Sequence, residues 1–92
     1  MLFQVQMDVR LPPDLDPDVL DRINAAEHAR ATEIQQAGKW PHLWRVAGRF
    51  ANVSVFDVDG PDELHELVSS LPLYPYMEVE VTALAHHPGS IA

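Results

Sequence analysis

The chain of 92 residues has no cysteine, and that absence excludes several kinds of structure and chemistry. Disulfide scaffolds, zinc sites with cysteine ligands and thiol nucleophiles all depend on the missing side chain. A chain this short forms a single domain, residues 1–92, and buries only about 60–65% of its unfolded surface. Because no disulfide can compensate, we expect oligomerisation to supply stability. The lack of cysteine also fits a reducing cytoplasm.

Basic side chains are few as well, since six Lys and Arg oppose fourteen Asp and Glu and give a net charge of -8. Nucleic acids and anionic membrane surfaces are bound by clustered basic residues, so neither is an expected partner. No apolar run reaches the roughly 18 residues of a membrane-spanning helix, and no signal-peptide pattern opens the sequence. We therefore expect a soluble, cytoplasmic protein.

The residues that are present have an ordinary globular composition, 47% hydrophobic and 22% charged, and their patterns predict six elements. The predicted strands span 3–9, 40–48, 49–58 and 77–83, and the predicted helices span 17–37 and 61–70. Asp16 is the expected N-cap of the first helix, with Pro17 at its first position and Gly38 at its C-terminal end.

The order β-α-β-β-α-β is typical of the split βαβ, ferredoxin-like α+β fold, an antiparallel sheet with two helices on one face. The other face of this sheet carries apolar side chains that a single copy leaves in contact with water. We therefore expect copies to pack sheet against sheet, which gives a homo-oligomer built from dimers.

Glu27 is the most informative residue of the first predicted helix. The apolar stripe of that helix comprises Leu20, Ile23, Ala31 and Ile34, and at about 100° per residue Glu27 falls near its middle. A carboxylate there is costly unless it is paired or has a function, and desolvation would raise its pKa towards that of a general base at neutral pH. The alternatives are a buried structural ion pair with Arg or Lys, or an apolar stripe that ends short of the core.

A second cluster, KWPHLWR, combines two Trp, one His and two cations just after the Glu27 helix. Alternation places Trp40, His42 and Trp44 on one face of a strand, and Leu43 and Arg45 on the other. One interpretation is an aromatic-walled pocket with a cation for an anionic ligand. The other is Trp packing in a core or subunit interface, with Arg45 exposed.

Polar side chains also lie among aromatic ones on the third predicted strand. Asn52 and Ser54 alternate with Phe50 and Phe56, which fits either a pocket lining that offers hydrogen bonds or local pairing and solvent contact. Tyr76, at the entrance to the last strand, offers a hydroxyl to a site or simply packs. No metal-ligand spacing, Gly-rich phosphate loop or serine nucleophile motif is present, so we expect neither metal nor cofactor.

Seven segments of the chain resemble the muconolactone Δ-isomerases. They are MLFQVQMDV at 1–9, GKWPHLWRVAG at 38–48, ANVSVFDV at 51–58, DELH at 62–65, LPLYPYM at 71–77, VEVTAL at 79–84 and HP at 87–88. The resemblance covers nearly the whole chain. Phe50 and Tyr74 depart from the family pattern, which has Tyr and Phe at these positions.

This resemblance implies a ferredoxin-like subunit that assembles into decamers and works without metal or organic cofactor. The family converts (S)-muconolactone, a small lactone carboxylate, to 3-oxoadipate enol-lactone in the catechol branch of the β-ketoadipate pathway. A proton leaves the ring carbon that bears the acetate arm and returns to the carbon beside the lactone carbonyl. The intermediate is a dienolate.

Such a reaction needs a base, a hydrogen-bond donor at the enolate oxygen and a cation for the acetate group. The resemblance and the residue patterns together indicate Glu27 as the base, with His28 as the next candidate. The other expected site residues are the donors Tyr76, Asn52 and Ser54, the cations Arg45 or Lys39, and the water-excluding walls Trp40, Trp44, Phe50 and Phe56.

Two other functions are compatible with the same sequence. One is a chloromuconolactone dehalogenase, in which the same base leads to loss of chloride. The other is a non-catalytic or cofactor-free oxygenase member of the dimeric ferredoxin-like group, whose pocket binds a small aromatic molecule.

Overall fold

The computed structural model describes all 92 residues and has the predicted order of strands and helices. The elements are β1 (Leu2–Val9), α1 (Pro17–Gln36), β2 (His42–Arg45), β3 (Ala51–Asp57), α2 (Pro61–Ser69) and β4 (Met77–Leu84), with a 3-10 turn at Tyr74–Tyr76 before β4. The strands form one antiparallel sheet in the order β2-β3-β1-β4. This arrangement confirms the predicted ferredoxin-like α+β fold.

Both ends of α1 are capped by the residues that the sequence singles out. The Asp16 carboxylate accepts a hydrogen bond from the Asp18 amide at 2.8 Å, and Pro17 occupies the first turn. At the other end Gly38 adopts a φ of 78°, and its amide and that of Lys39 donate back to Gln35 and Ile34. These two bonds form a Schellman motif, so α1 ends at a fixed position just before the Trp-containing segment.

The predicted strand over residues 40–48 is wrong at both ends, because β2 contains only His42–Arg45. Pro41 has no amide hydrogen to contribute to a sheet and precedes the strand. After the strand, a turn closes with a 3.1 Å bond from the Arg49 amide to the Val46 carbonyl, and Gly48 supplies its positive φ of 78°. The third strand therefore starts at Ala51 rather than at residue 49.

The hydrophobic core lies between one face of the sheet and the two helices. On β1 the side chains of Phe3, Val5 and Met7 alternate into it, and each is at most 3% exposed. The helices contribute Ile34 from α1 and Leu64 and Val68 from α2. Both helices therefore cover the same face, as predicted.

The opposite face of the sheet, which we call the open face, is not covered by any element of this chain. The rings of His42 and Trp44 stack there at 4.9 Å, and Trp44 remains 56% exposed. Trp40 does not join them, contrary to the alternation prediction, because it precedes the strand. Its ring stacks on Phe56 at 4.7 Å inside the core and is 3% exposed.

No helix of the structure combines the length and the apolar character that a membrane crossing needs.

Candidate active site

A cavity of about 410 Å³ opens between α1 and the helix-covered face of the sheet. Eight of the thirteen lining residues are hydrophobic. The lining comprises Val9, Asn24, Glu27, His28, Ala31, Trp40, Leu43, Arg45, Phe50, Ala51, Asn52, Leu73 and Met77. A largely apolar cavity with a few convergent polar groups is the usual form of a small-molecule site.

Glu27 projects from the middle of α1 onto the wall of this cavity and is half-buried. It forms no ion pair, so the structural pairing that the sequence left open is absent. Its only hydrogen bond is accepted at Oε1 from the Leu73 amide, at 2.9 Å. Desolvation by burial raises the pKa of Glu27 above 4.5, while the Leu73 amide, by favouring the carboxylate, partly offsets this.

Arg45 brings a positive charge to the same cavity from β2. Its guanidinium carbon lies 5.3 Å from the ring centre of Phe50, and one of its nitrogens is 3.5 Å from the Arg49 carbonyl. No carboxylate of the chain pairs with it. Arg45 is therefore a cation in the cavity whose charge no carboxylate of the chain neutralises, and such a guanidinium suits a carboxylate ligand.

Asn52 presents its amide to the cavity from β3, directly opposite Arg45 in the sheet register. The fully buried Ser54 hydroxyl donates to Asn52 Oδ1 at 2.7 Å. This bond leaves the amide NH₂ of Asn52 without a partner in the chain. The side chain is thus held with a donor available to a ligand in the cavity.

Six of the predicted site residues meet in this cavity: Glu27, His28, Trp40, Arg45, Phe50 and Asn52. Five others lie outside its lining: Lys39, Trp44, Ser54, Phe56 and Tyr76. Lys39, Ser54 and Tyr76 lie outside the lining for different reasons from Trp44 and Phe56.

Lys39 is drawn to the side of α2, where its ammonium lies 3.4 Å from Glu63. That glutamate also accepts the Asp59 amide, and this bond is the main reason why its pKa is lowered. Ser54 sits one layer behind the cavity, with its hydroxyl on Asn52. Tyr76 closes the 3-10 turn that leads into β4 and makes no side-chain hydrogen bond.

The two residues predicted as aromatic walls that lie outside the lining, Phe56 and Trp44, have different surroundings. Phe56 is fully buried and supports Trp40 from behind, so it contacts the cavity wall rather than its contents. Trp44 lies on the open face, across the sheet from the cavity.

The sequence did not reveal two polar groups of the site. The first is the Leu73 backbone amide, which no side-chain pattern can signal. The second is Trp40 Nε1, which is buried without a hydrogen-bond partner although Trp40 was predicted as an apolar wall. No three His, Asp or Glu side chains lie close enough together to hold a metal ion.

Comparisons with known proteins agree with one another along the whole chain. Residues 1–90 match the family model described as muconolactone delta-isomerase. Muconolactone Delta-isomerase 2 of Acinetobacter lwoffii is 54% identical over 91 residues, which are 99% of this chain and 95% of that protein. The muconolactone Delta-isomerase of Cupriavidus pinatubonensis is also 54% identical and is covered to 99% on both sides.

The fold has solved counterparts as well. A crystal structure of muconolactone isomerase superposes with a TM-score of 0.94 at 49% identity, covering 100% of this chain and 96% of the other. A 5-chloro-2-hydroxyhydroquinone dehydrochlorinase from Burkholderia phenoliruptrix superposes with a TM-score of 0.66 at 20% identity, covering 95% and 96%. This second likeness extends to the fold alone.

Proposed function

The chain belongs to the muconolactone Δ-isomerase family and is an isomerase, and we propose how its own residues carry out the reaction. The substrate is (S)-muconolactone and the product is 3-oxoadipate enol-lactone (5-oxo-4,5-dihydro-2-furylacetate), in the catechol branch of the β-ketoadipate pathway. One observation carries the assignment of roles: a half-buried carboxylate, unpaired with any cation, stands on the wall of a largely apolar cavity.

Glu27 is the base. Its ionised carboxylate removes the proton from the ring carbon that bears the acetate arm, and the electron pair of that C–H bond delocalises into the lactone as a dienolate. The protonated Glu27 then gives the same proton to the carbon beside the carbonyl, which regenerates the carboxylate. The raised pKa suits this cycle, because proton transfer is most efficient when the base titrates near the working pH.

Asn52 is the donor to the enolate oxygen, since its NH₂ is free while Oδ1 is occupied by Ser54. A donor fixed in advance stabilises the developing charge without reorganisation. Ser54 acts through Asn52 rather than on the substrate. Tyr76 is the weaker candidate for this contact because it lies outside the cavity lining.

Arg45 holds the acetate group of the substrate. It is preferred to Lys39, because Lys39 is paired with Glu63 while Arg45 has no ion-pair partner. The aromatic rings of Trp40 and Phe50 exclude water from the same cavity, which strengthens the electrostatic contacts inside it.

Glu27→Gln tests the base directly. We expect isomerase turnover, followed by ultraviolet absorbance, to fall by about 10²- to 10⁴-fold in the folded variant, the usual contribution of a general base. Glu33→Gln is the matched control on the same helix, since Glu33 is exposed and pairs only with Arg30. Retention of more than about a tenth of wild-type activity by Glu27→Gln would reject Glu27 as the base, and His28 would then be tested.

Muconolactone and a chloromuconolactone should be assayed side by side with the wild-type protein. An isomerase turns over muconolactone with the higher kcat/KM, whereas a dehalogenase favours the chlorinated lactone and releases chloride. Tight binding of a small aromatic molecule without turnover of either lactone would instead favour the binding or oxygenase alternative.

The enzyme works without a cofactor, as a homo-oligomer in the cytoplasm. The reaction requires no cofactor, because the lactone carbonyl itself acidifies the proton that is removed. The uncovered sheet face supports assembly into a homo-oligomer, the family resemblance implies a decamer built from dimers, and the cysteine-free composition fits the cytoplasm.

A further inference from the structure

The segment between α2 and β4 is a tight turn that is fixed at several points. Pro72 and Leu73 are its central residues, and the Tyr74 amide closes it on the Leu71 carbonyl at 2.9 Å. The Leu71 amide donates to Val68 at 3.2 Å. Backbone bonds therefore hold the turn to the end of α2.

Burial of two leucine side chains also fixes this turn. Leu71 is 1% exposed and Leu73 is 5% exposed, so both point into the protein interior. The Tyr76 amide donates to the Leu73 carbonyl at 2.9 Å, and this bond links Leu73 to the 3-10 turn that follows it. The Leu73 peptide is thus immobilised on both sides, while its own amide hydrogen points to α1.

The acceptor of that amide hydrogen is Glu27 Oε1, at 2.9 Å and 46 residues away in sequence. A glutamate has three rotatable side-chain bonds, and burial alone does not choose among their rotamers. The Leu73 contact is the one hydrogen bond of this carboxylate, so it decides which oxygen is held. Oε2 has no hydrogen-bond partner in the chain.

We infer that the Leu73 backbone amide is a positioning group for the base, holding Oε1 so that Oε2 is the single atom that removes and returns the proton. This inference rests on the proposed role of Glu27. One fixed oxygen serving both ring carbons requires that the carboxylate does not rotate between the two transfers. A rigid backbone donor meets that requirement, and proper placement of a reacting group contributes strongly to rate.

Among the groups around Glu27, the Leu73 amide is the main one that favours the ionised form of the carboxyl group. The cavity wall carries only two other titratable or charged side chains, His28 from α1 and Arg45 from β2. The parts of β1, β3 and β4 that line the cavity contribute none. Loss of the amide donor is therefore expected to raise the pKa of Glu27 further.

The test replaces Leu73 by the corresponding α-hydroxy acid, which substitutes an ester oxygen for the amide N–H and keeps the side chain. We expect kcat to fall about 10-fold or more from lost positioning, and the acid limb of the kcat/KM profile to move to higher pH. The matched control is the same ester substitution at Tyr74, which weakens the turn by removing the bond to Leu71 but leaves the Glu27 contact intact. The control should keep the wild-type acid limb.

A second measurement needs no change to the turn. In wild-type protein, the chemical shift of the Leu73 amide proton should titrate with the same midpoint as the Glu27 side-chain carboxyl, and in Glu27→Gln that titration should vanish. A Leu73 amide shift that is independent of pH, or an ester variant that matches the Tyr74 control in kcat and acid limb, would overturn the inference. Since the NMR titration does not depend on turnover, it separates failure of the contact from failure of Glu27 as the base.

Discussion

Glu27 carries its charge on a wall that is mostly apolar, and this arrangement affects stability as well as chemistry. A pKa raised by burial means that the folded protein binds the proton more tightly than the unfolded chain does. Ionised Glu27 therefore destabilises the fold. The destabilisation is absent below the unfolded value of 4.5 and reaches its full size once the pH exceeds the folded value.

Glu27→Gln should consequently stabilise the protein while it lowers turnover. The amide oxygen of Gln still accepts the Leu73 hydrogen bond but carries no charge to desolvate. We expect the variant to have a higher Tm than wild type at pH 7, and the difference to shrink as the pH falls through the folded pKa of Glu27 and to vanish below 4.5. Scanning calorimetry at several pH values checks this, and a variant less stable than wild type at pH 7 would contradict it.

At the residue scale, sequence reasoning worked where the deciding contacts lie within one element. Helical periodicity alone placed Glu27 on the inner side of α1. It could not foresee the ion pair of Lys39, because the partner Glu63 comes from α2, 24 residues later. It also missed the Leu73 amide, since every residue except proline has such a donor and only the tertiary fold selects one.

At the element scale, the order of strands and helices follows from period, caps and prolines, while boundaries depend on turns. The ends of α1 were predictable because Asp16 and Gly38 each perform a specific local task. β2 was overestimated, since apolar and aromatic residues continue on both sides of it. Pro41 and the turn at Gly48 set the ends of the strand, although the β-propensity of the neighbouring residues favours a longer one.

Gly38→Ala tests the backbone conformation that ends α1. A Cβ at this position meets no atom within 4 Å, so any cost arises from the φ of 78° itself. We expect a loss of about 1–2 kcal/mol in the free energy of unfolding, measured in urea. Gly60→Ala is the control, because Gly60 has an extended backbone with equally open space, and its effect should be smaller.

At the scale of the whole molecule, a single chain is unusually elongated. Its radius of gyration is 14.3 Å, whereas a compact chain of this length is expected near roughly 12 Å. Ile34, near the C-terminal end of α1, is the one buried residue of that helix. The N-terminal half of α1 and the open face therefore leave apolar surface for other copies, although the oligomeric state remains a prediction.

Trp44→Glu places a charge on the open face at the edge strand β2, where the wild-type protein has a large exposed apolar side chain. Trp44 is 56% exposed in the single chain, so the chain itself should still fold. We expect analytical ultracentrifugation to show smaller species than for wild type, because a charge cannot be buried between sheets without a partner. Gln36→Glu, an exposed change of equal charge on α1, should leave the assembly intact, and an unchanged size for Trp44→Glu would argue against sheet-to-sheet packing.

The unpaired guanidinium of Arg45 has a consequence for how an anionic substrate arrives. The chain's net charge of -8 repels the approaching anion at long range, while Arg45 attracts it only near the cavity mouth. Dissolved salt first weakens the long-range repulsion between the protein's net charge and the substrate anion, since the Debye length is about 8 Å at physiological ionic strength. The encounter rate, read as kcat/KM, should therefore rise on adding the first salt and decline at higher concentrations, when the attraction of Arg45 is screened in turn.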